Sequence, residues 1–490
     1  MRVCIVAEGC YPYVVGGVSG WIHSMIQSFP NLEFVLLTIV ANRSMRGKFV
    51  YELPENVTEV YELYLDDWDW EDGRKTRRGF RLTGKEFKQM QFMVLNQKTD
   101  WNVIFDLFHN KKFSVDDFLM GPDFFYIAQE CYRQKYSNII FSDFLWTLRS
   151  MYLPLFLTLK MDLPKADLYH CVATGYAGIL GSMAKHFFGS GLLISEHGIY
   201  TREREEELIK ATWVDGIYKN IWIEQFKKMS LLAYGQADMV TSLYAHAKEL
   251  QIELGCPEEK IRITPNGIRT ENLKDLPGKT EEEQGMINAG AVLRVTPIKD
   301  VKTMIQAFAF AKQSVPNLKL WIMGPTDEDP EYAQECFDLV EFLKVEDVVF
   351  TGRINVRDYL GRMDFTLLTS ISEGQPLTIL ESYAAHRPVI ATDVGNCREL
   401  IYGPEDTFGQ AGILTHIMNV EEIAEAMIEL ATNEKRRTRM GEAGYQRVMA
   451  FYKIEQMKDV YTQIYQQFAT EHELEWPEQP FEIETAQEGI

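Results

Sequence analysis

Residues 365–381 read F-T-L-L-T-S-I-S-E-G-Q-P-L-T-I-L-E. The opening apolar run has the length and composition of a strand buried on both faces of a parallel sheet. Pro376 suits a first helical position, where its missing N–H costs nothing, so a helix is predicted through Leu377, Ile379, Leu380 and Glu381. Glu373 then lies on the entering loop and Glu381 one to two turns inside. Strand, glycine-bearing loop and helix start put both carboxylates at the carboxyl end of a sheet, where open α/β folds bind ligands. Free N–H groups beside Gly374 could hold a polyol or a phosphate. A capped surface helix with two solvated glutamates has the same local pattern.

The same unit recurs outward from this stretch. In I-N-A-G-A-V-L-R-V-T-P-I-K-D-V (287–301), Arg294 leaves a strand and Lys299 follows Pro297 by two residues. Two cations beside a helix start make an anion site, unless they are simply solvated. Further strands are predicted at 319–323, ending in Gly324, at 348–351, ending in Gly352 and Arg353, and at 389–391, followed by Thr392, Asp393 and Gly395. Toward the start, a strand at 3–7 leads into E-G-C-Y-P-Y-V-V-G-G-V-S-G-W and a helix from about 21 to 29. Gly16 and Gly17 permit positive φ and close backbone approach, although plain turn chemistry explains them equally. A strand at 34–40 follows. The run G-L-L-I-S-E-H-G is a buried strand ending in Glu196, His197 and Gly198. His197 is placed for ligand contact there, whereas His170 inside another strand can be satisfied by the core. Strands at 239–242 and 261–264 precede the P-N-G turn at 265–267.

Alternation of this kind predicts an α/β protein with two doubly wound parallel sheets. The first domain is assigned to residues 1–275, with a boundary in the polar, aperiodic segment 268–285. The second covers 286–450, followed by a helix at 451–470 and an acidic tail at 471–490. Residues 51–165 break the rhythm and read as a mainly helical insertion holding Trp68, Trp70, Trp101 and Trp146. Trp68 and Trp70 either pack the insertion's core or stack on sugar rings.

With 490 residues the chain exceeds one ordinary core, and its 46% hydrophobic and 25% charged content is that of a globular protein. A formal charge of -21 argues against a nucleic-acid partner but leaves a small anionic ligand open. Seven acidic residues and no Lys or Arg fall within 471–490, as in a solvated tail. The seven cysteines form no C-x-x-C pair and no metal-spaced cluster with histidine, as expected of reduced cytosolic thiols. The start M-R-V-C-I-V-A is too short for a signal segment, and no run approaches the roughly 20 apolar residues of a membrane span, so a cytoplasmic location is expected.

Gly16-Gly17, His197, P-N-G, the Arg294/Lys299 pair and E-x7-E at 373–381, in that order, resemble the retaining GT-B glycosyltransferases of family 4. The resemblance covers about residues 1–465 apart from the insertion. The segments V-A-E-G-C-Y-P-Y-V-V-G-G-V-S-G-W, E-H-G-I-Y-T-R-E-R-E and R-V-T-P-I-K-D-V resemble one branch, the cytoplasmic glycosyltransferases of bacterial Pel exopolysaccharide synthesis in biofilms. It implies two Rossmann-like domains facing a cleft, a UDP-sugar donor, a carbohydrate acceptor, and neither cofactor nor metal. It also implies an inner-membrane polysaccharide synthase complex as partner, with this chain peripheral and not membrane-spanning. Arg294 and Lys299 would grip the donor diphosphate, Glu373 the transferred sugar's hydroxyls, and Glu381 the ribose. Backbone near Gly16 and Gly17, and from Gly374 through Pro376 to Leu377, would close around phosphate and sugar. Arg353 would border the uracil, His197 would lie near the reacting sugar, and the terminal helix would return to the first domain. His197, Arg294, Lys299 and Glu373 thus form the implied catalytic set, with Glu373 a sugar clamp and not a nucleophile. Gly324 is followed by Pro325 and Thr326 and not by a second glycine, a departure from the family pattern. A GT-B phosphorylase, a sugar-nucleotide epimerase, a glycogen-synthase-like enzyme and a non-catalytic scaffold of a membrane complex are the competing readings.

Overall fold

The computed structural model describes residues 1–66, 80–404 and 406–481. Trp68 and Trp70 lie outside the described residues. Two compact units divide the chain: Met1–Ser242 with Lys248–Ile263 and the chain from Gln463 on, and Leu243–Ala247 with Thr264–Thr462.

The first unit is built on β1 (Arg2–Glu8), α1 (Gly17–Ser28), β2 (Glu33–Val40) and β3 (Val57–Tyr64). Five helices follow: α2 (Gly84–Val94), α3 (Trp101–Asn110), α4 (Val115–Leu119), α5 (Pro122–Cys131) and α6 (Phe141–Leu159). Then come β4 (Leu168–Cys171), α7 (Tyr176–Phe188), β5 (Gly191–Ser195), α8 (Tyr200–Lys210), α9 (Gly216–Gln236), β6 (Met239–Ser242), α10 (Ala245–Glu253) and β7 (Ile261–Ile263). Strands pair in parallel in the order β3-β2-β1-β4-β5-β6-β7. Helices cover both faces of such a sheet, which is why F-V-L-L-T-I-V of β2 is buried at every position.

Two expectations are corrected here. Residues 51–165 are not helical from their start, because V-T-E-V-Y-E-L-Y forms β3 on the sheet edge. An edge strand is half exposed, so it alternates polar and apolar residues instead of running apolar. The helices that follow do absorb the aromatic residues: Phe108 and Phe156 lie 4.6 Å apart at their ring centres, and Phe105, Phe118, Phe124 and Tyr152 are buried around them. The tail is also not wholly solvated, since Asn31 donates to the Pro477 carbonyl (2.7 Å) and the Phe481 N–H to the Pro30 carbonyl (2.7 Å). Backbone carbonyls accept hydrogen bonds whatever charge the neighbouring side chains carry.

The second unit contains β8 (Ile287–Val292), α11 (Val301–Ser314), β9 (Leu318–Met323), α12 (Pro330–Leu343), β10 (Val348–Gly352) and α13 (Arg357–Leu360). It continues with β11 (Phe365–Leu368), α14 (Leu377–Ala384), β12 (Val389–Thr392), α15 (Cys397–Tyr402), β13 (Gly412–Thr415), α16 (Val420–Thr432) and α17 (Glu434–Phe451). The last helix, α18 (Ile454–Glu471), contributes residues to both units. Strand order is β10-β9-β8-β11-β12-β13, all parallel, so the winding reverses between β8 and β11. The segment 268–285 belongs to this unit and is not a boundary. Ile268 and Leu273 are buried with Leu360 and Ile379, and Glu283, almost fully buried, pairs with Arg362. Its polar composition hides these anchors, which depend on partners far along the chain.

Among the described residues, no helix is long and apolar enough to cross a membrane. All seven cysteines are free thiols, six of them buried.

Candidate functional site

In an open parallel sheet the loops leaving the two strands at the reversal diverge and leave a crevice. In the second unit these are the loops after β8 and β11, which carry Arg294, Lys299 and Glu373. Lys299 Nζ donates to Glu373 Oε1 at 2.5 Å, and Ser370 Oγ donates to the same oxygen at 2.6 Å. The pair is mostly sheltered, with 17% and 12% of the two side chains exposed. Backbone contacts hold the loops together: Ile371 N–H donates to the Ile298 carbonyl (2.8 Å), and Thr369 Oγ1 to the Lys299 carbonyl (2.9 Å). Pro297–Lys299 forms one 3-10 turn, after which Asp300 caps α11 by accepting from the Thr303 N–H (3.4 Å).

A third loop braces the glutamate from behind. The Asn396 N–H donates to the Gly374 carbonyl at 2.9 Å. Gly395 has φ +52° and packs so closely that an added Cβ would lie 2.2 Å from the Glu373 carbonyl oxygen, so only glycine fits. The P-N-G turn joins the same loop, because the Asn266 N–H donates to Gln375 Oε1 at 2.7 Å. Gln375 Nε2, both side-chain polar atoms of Asn396 and Thr296 Oγ1 are buried without a hydrogen-bond partner. Unsatisfied buried polar atoms are costly, and a cluster around one loop is available to water or to a ligand. Ser370, Gln375 and Asn396 were not singled out in the sequence; Asn396 follows a flagged glycine, but nothing local shows that its backbone reaches Gly374.

The remaining positions are placed unequally. Pro376 has ψ 112°, so it is the extended residue before α14 and not its first helical one; Leu377 opens the helix. Glu381 sits in the second turn, and burial alone pushes its carboxyl up to about 7. Arg294 pairs with Glu328 at 2.8 Å, its side chain 45% exposed. Arg353 is more exposed still and faces Asp327 at 3.2 Å. Gly324 has φ +152° and lies against the Leu293 carbonyl, where a Cβ would be 1.8 Å away, so close packing of the β8 and β9 ends explains it.

In the first unit Gly16 and Gly17 are exposed, and a Cβ on either would meet open space. Neither takes the positive φ that glycine permits: Gly16 is fully extended at φ 178° and caps α1, and Gly9 makes the left-handed turn at φ +66°. Glu196 and His197, adjacent at the end of β5, take opposite roles. Glu196 is buried and accepts from Tyr234 Oη (2.6 Å), Gln251 Nε2 (3.1 Å), Thr174 Oγ1 (3.1 Å) and the Tyr200 N–H (3.1 Å). Burial raises its carboxyl above the usual range despite these donors, and it ties the loop between β4 and α7 and the helices α8, α9 and α10 to the sheet. His197 instead rests edge-on against Trp21, ring centres 4.3 Å apart, with Nε2 enclosed and unpartnered. Burial lowers it to about 4, so the ring is neutral at neutral pH. His170 is a satisfied core residue, bonded to Tyr465 Oη (2.8 Å) and Ser195 Oγ (2.7 Å).

The Glu381 carboxyl makes one test independent of any ligand. Its ordinary value of 4.5 rises to about 7 on folding, so the folded state is favoured at low pH and loses that advantage as pH rises from 4.5 through 7. Glu381→Gln is expected to stabilise the second unit by about 2–3 kcal/mol at pH 8, with the gain vanishing near pH 4.5. Calorimetric melts across this range check it.

Two parallel-sheet Rossmann-like units with this site define a GT-B protein, and residues 275–447 match the family model described as Glycosyl transferases group 1. The chain belongs to the family whose model, Domain of unknown function (DUF3492), matches residues 1–259. Among curated relatives, N-acetyl-alpha-D-glucosaminyl L-malate synthase of Bacillus anthracis is 29% identical over 248 residues, 48% of this chain and 62% of the relative. Alpha-monoglucosyldiacylglycerol synthase of Streptococcus pneumoniae is 31% identical over 196 residues, 35% of this chain and 44% of the relative. The chain thus spans less than two thirds of either. The solved structure of Anabaena Alr3699/HepE in complex with UDP and glucose superposes with a TM-score of 0.58 at 13% identity, covering 94% of this chain and 99% of the other. Sucrose-phosphate synthase from Thermosynechococcus elongatus gives 0.60 at 14% identity, covering 96% and 99%. At such identities the likeness is one of fold.

Proposed function

We propose that this protein is a retaining glycosyltransferase of family 4 that moves a hexose or N-acetylhexosamine from a UDP-sugar to a growing exopolysaccharide of the Pel type, without a metal. The observation that carries the reading is the Lys299–Glu373 pair at the β8/β11 reversal, ringed by unpartnered polar atoms. A bound UDP-sugar would take the ammonium of Lys299 and the guanidinium of Arg294 as counter-charges to its diphosphate. Glu373 would accept from sugar hydroxyls, and Glu381 from the ribose. Arg353 is assigned to the rim of the uracil, and the exposed backbone at Gly16 and Gly17 to phosphate. The neutral imidazole of His197 offers a hydrogen bond to a sugar hydroxyl. The UDP and glucose complex of the Anabaena fold relative supports the donor class. Amylovoran biosynthesis glycosyltransferase AmsK of Erwinia amylovora, 26% identical over 189 residues, supports the polymer class.

In the reaction the bond between the sugar's anomeric carbon and the UDP phosphate oxygen breaks through an oxocarbenium-like transition state. The acceptor hydroxyl attacks from the face that UDP leaves, and its proton passes to the departing phosphate oxygen. Fixed cations stabilise the charge that develops on that oxygen, the term that dominates most enzymatic rate enhancements. The remaining parts of the proposal are a cytoplasmic location and a peripheral place in an inner-membrane synthase complex.

A panel of UDP-glucose, UDP-N-acetylglucosamine and UDP-N-acetylgalactosamine, scored for UDP release and polymer with and without EDTA, tests this. One donor is expected to turn over equally in both conditions. Folded protein that binds no UDP in calorimetry would overturn the reading in favour of a scaffold.

A further inference from the structure

The helical region of the first unit has an open depression of about 410 Å³, remote in sequence from every residue assigned above. It lies where the end of α2, the loop 95–100, the start of α3 and the end of α9 meet. Gln89, Thr99, Trp101, Asn102, Leu232 and Gln236 line it, with Lys98 and Asp100 at its sides. Trp101 packs on Phe105, with ring centres 6.1 Å apart, and Leu232 is buried beside it, so one wall is apolar and fixed. Gln89 Oε1 accepts from the Asp100 N–H at 2.8 Å, which orients that amide. Gln89 Nε2, Trp101 Nε1 and the side-chain amides of Asn102 and Gln236 have no hydrogen-bond partner among the described residues.

An indole ring beside several amides without partners suits one kind of ligand: a ring with C–H groups on its face and hydroxyls on its edge. Charge narrows it further. Lys98 and Asp100 flank the depression, Lys85 stands 3.9 Å from the Asp100 carboxylate, and Lys185, which donates to the Gln236 carbonyl at 2.8 Å, is paired with Asp238. Lys98 is the one lining cation outside an ion pair among the described residues, and a single exposed ammonium holds a phosphorylated or strongly acidic ligand only weakly. An aliphatic ligand would strand the amides.

We infer that this depression is a second carbohydrate site, binding a neutral pyranose unit of an oligosaccharide on the helical region, apart from the donor site. It rests on the proposed transferase reading for its purpose, which is to hold a growing chain near the enzyme between additions. Tethering of this sort raises the local acceptor concentration without adding to the chemistry.

The test uses the full chain and three neutral probes, maltohexaose, cellohexaose and penta-N-acetylchitopentaose, in saturation-transfer NMR and calorimetry. At least one is expected to bind weakly, and Trp101→Ala to weaken it about tenfold or more. Because Trp101 also packs on Phe105, Asn102→Ala and Gln236→Ala serve as variants that leave the fold intact, each weakening binding several-fold with unchanged near-UV circular dichroism. Lys299→Ala is expected to lose UDP binding and keep the oligosaccharide affinity. If none of the probes binds, if all three depression variants bind as the parent does, or if Lys299→Ala loses the oligosaccharide too, the inference is wrong. Oligosaccharide binding through Trp101 in a protein that turns over no UDP-sugar would leave this site standing and remove the transferase reading alone.

Discussion

Lys299→Ala is expected to lower turnover with the preferred UDP-sugar by about 100- to 1000-fold, the usual loss when one preorganised charge-stabilising donor is removed. The side chain does two things at once. It holds Glu373 through a 2.5 Å charged hydrogen bond, and it would meet the diphosphate from a sheltered position where water screens little. Removing it therefore loses the counter-charge and frees the sugar clamp. Both kcat and UDP affinity should fall, and Lys299→Arg should rescue poorly, because a planar fork does not replace a point charge in a closed pocket. Arg294→Ala should cost less, on the order of tenfold, since that side chain is 45% exposed and already paired with Glu328. Full turnover in Lys299→Ala would sink the diphosphate assignment.

The second large effect falls on stability. Arg447 on α17 is completely buried and makes five hydrogen bonds: to both oxygens of Asp406 (2.6 and 2.9 Å) and to the carbonyls of Leu400 (2.8 Å), Ile401 (3.0 Å) and Gly409 (2.6 Å). Arg447→Ala strands one buried carboxylate and three carbonyls, at a cost of about 3–5 kcal/mol to the second unit. The site should suffer with it, because α17 backs α14: a Cβ at Gly444 would lie 2.4 Å from the ring of Tyr383, on the helix that carries Glu381. Urea titration and donor binding check both consequences. Pairing Arg447→Met with Asp406→Leu should recover part of the loss, since apolar replacement of both partners leaves no charge buried alone. A single-variant midpoint equal to that of the parent would show that the network contributes nothing.

Much of the fold was legible in the residues. Apolar runs such as F-V-L-L-T-I-V and F-T-L-L, each followed by a glycine-bearing loop, identify buried parallel strands, because a strand covered on both faces has no exposed side to mark with polar residues. V-T-E-V-Y-E-L-Y escaped that pattern because β3 is an edge. The polar stretch 268–285 misled for a related reason: Glu283 is polar in composition but buried in space, and only Arg362 makes that affordable.

The site was half legible. Glu373, Lys299 and His197 could be named from where they sit relative to strand ends, and cap and turn chemistry act within a few residues, so they leave local signatures. Gly16 and Gly17 could be named too, but not their backbone, since a glycine permits a conformation without requiring it. Which loops meet was decided by strand order. The reversal between β8 and β11 brings Lys299 to Glu373, the pairing of β8 with β9 sets Arg294 beside Glu328, and the close approach at Gly395 gives Asn396 its place behind Glu373. In the helical region α3 and α9 both pack on α6 and α7, which brings Trp101 and Gln236 to one depression. Residues by themselves determined which loops carry chemistry, because those signals are local; the tertiary structure decided which of those loops share a site, because strand order and helix packing join residues that the chain keeps far apart.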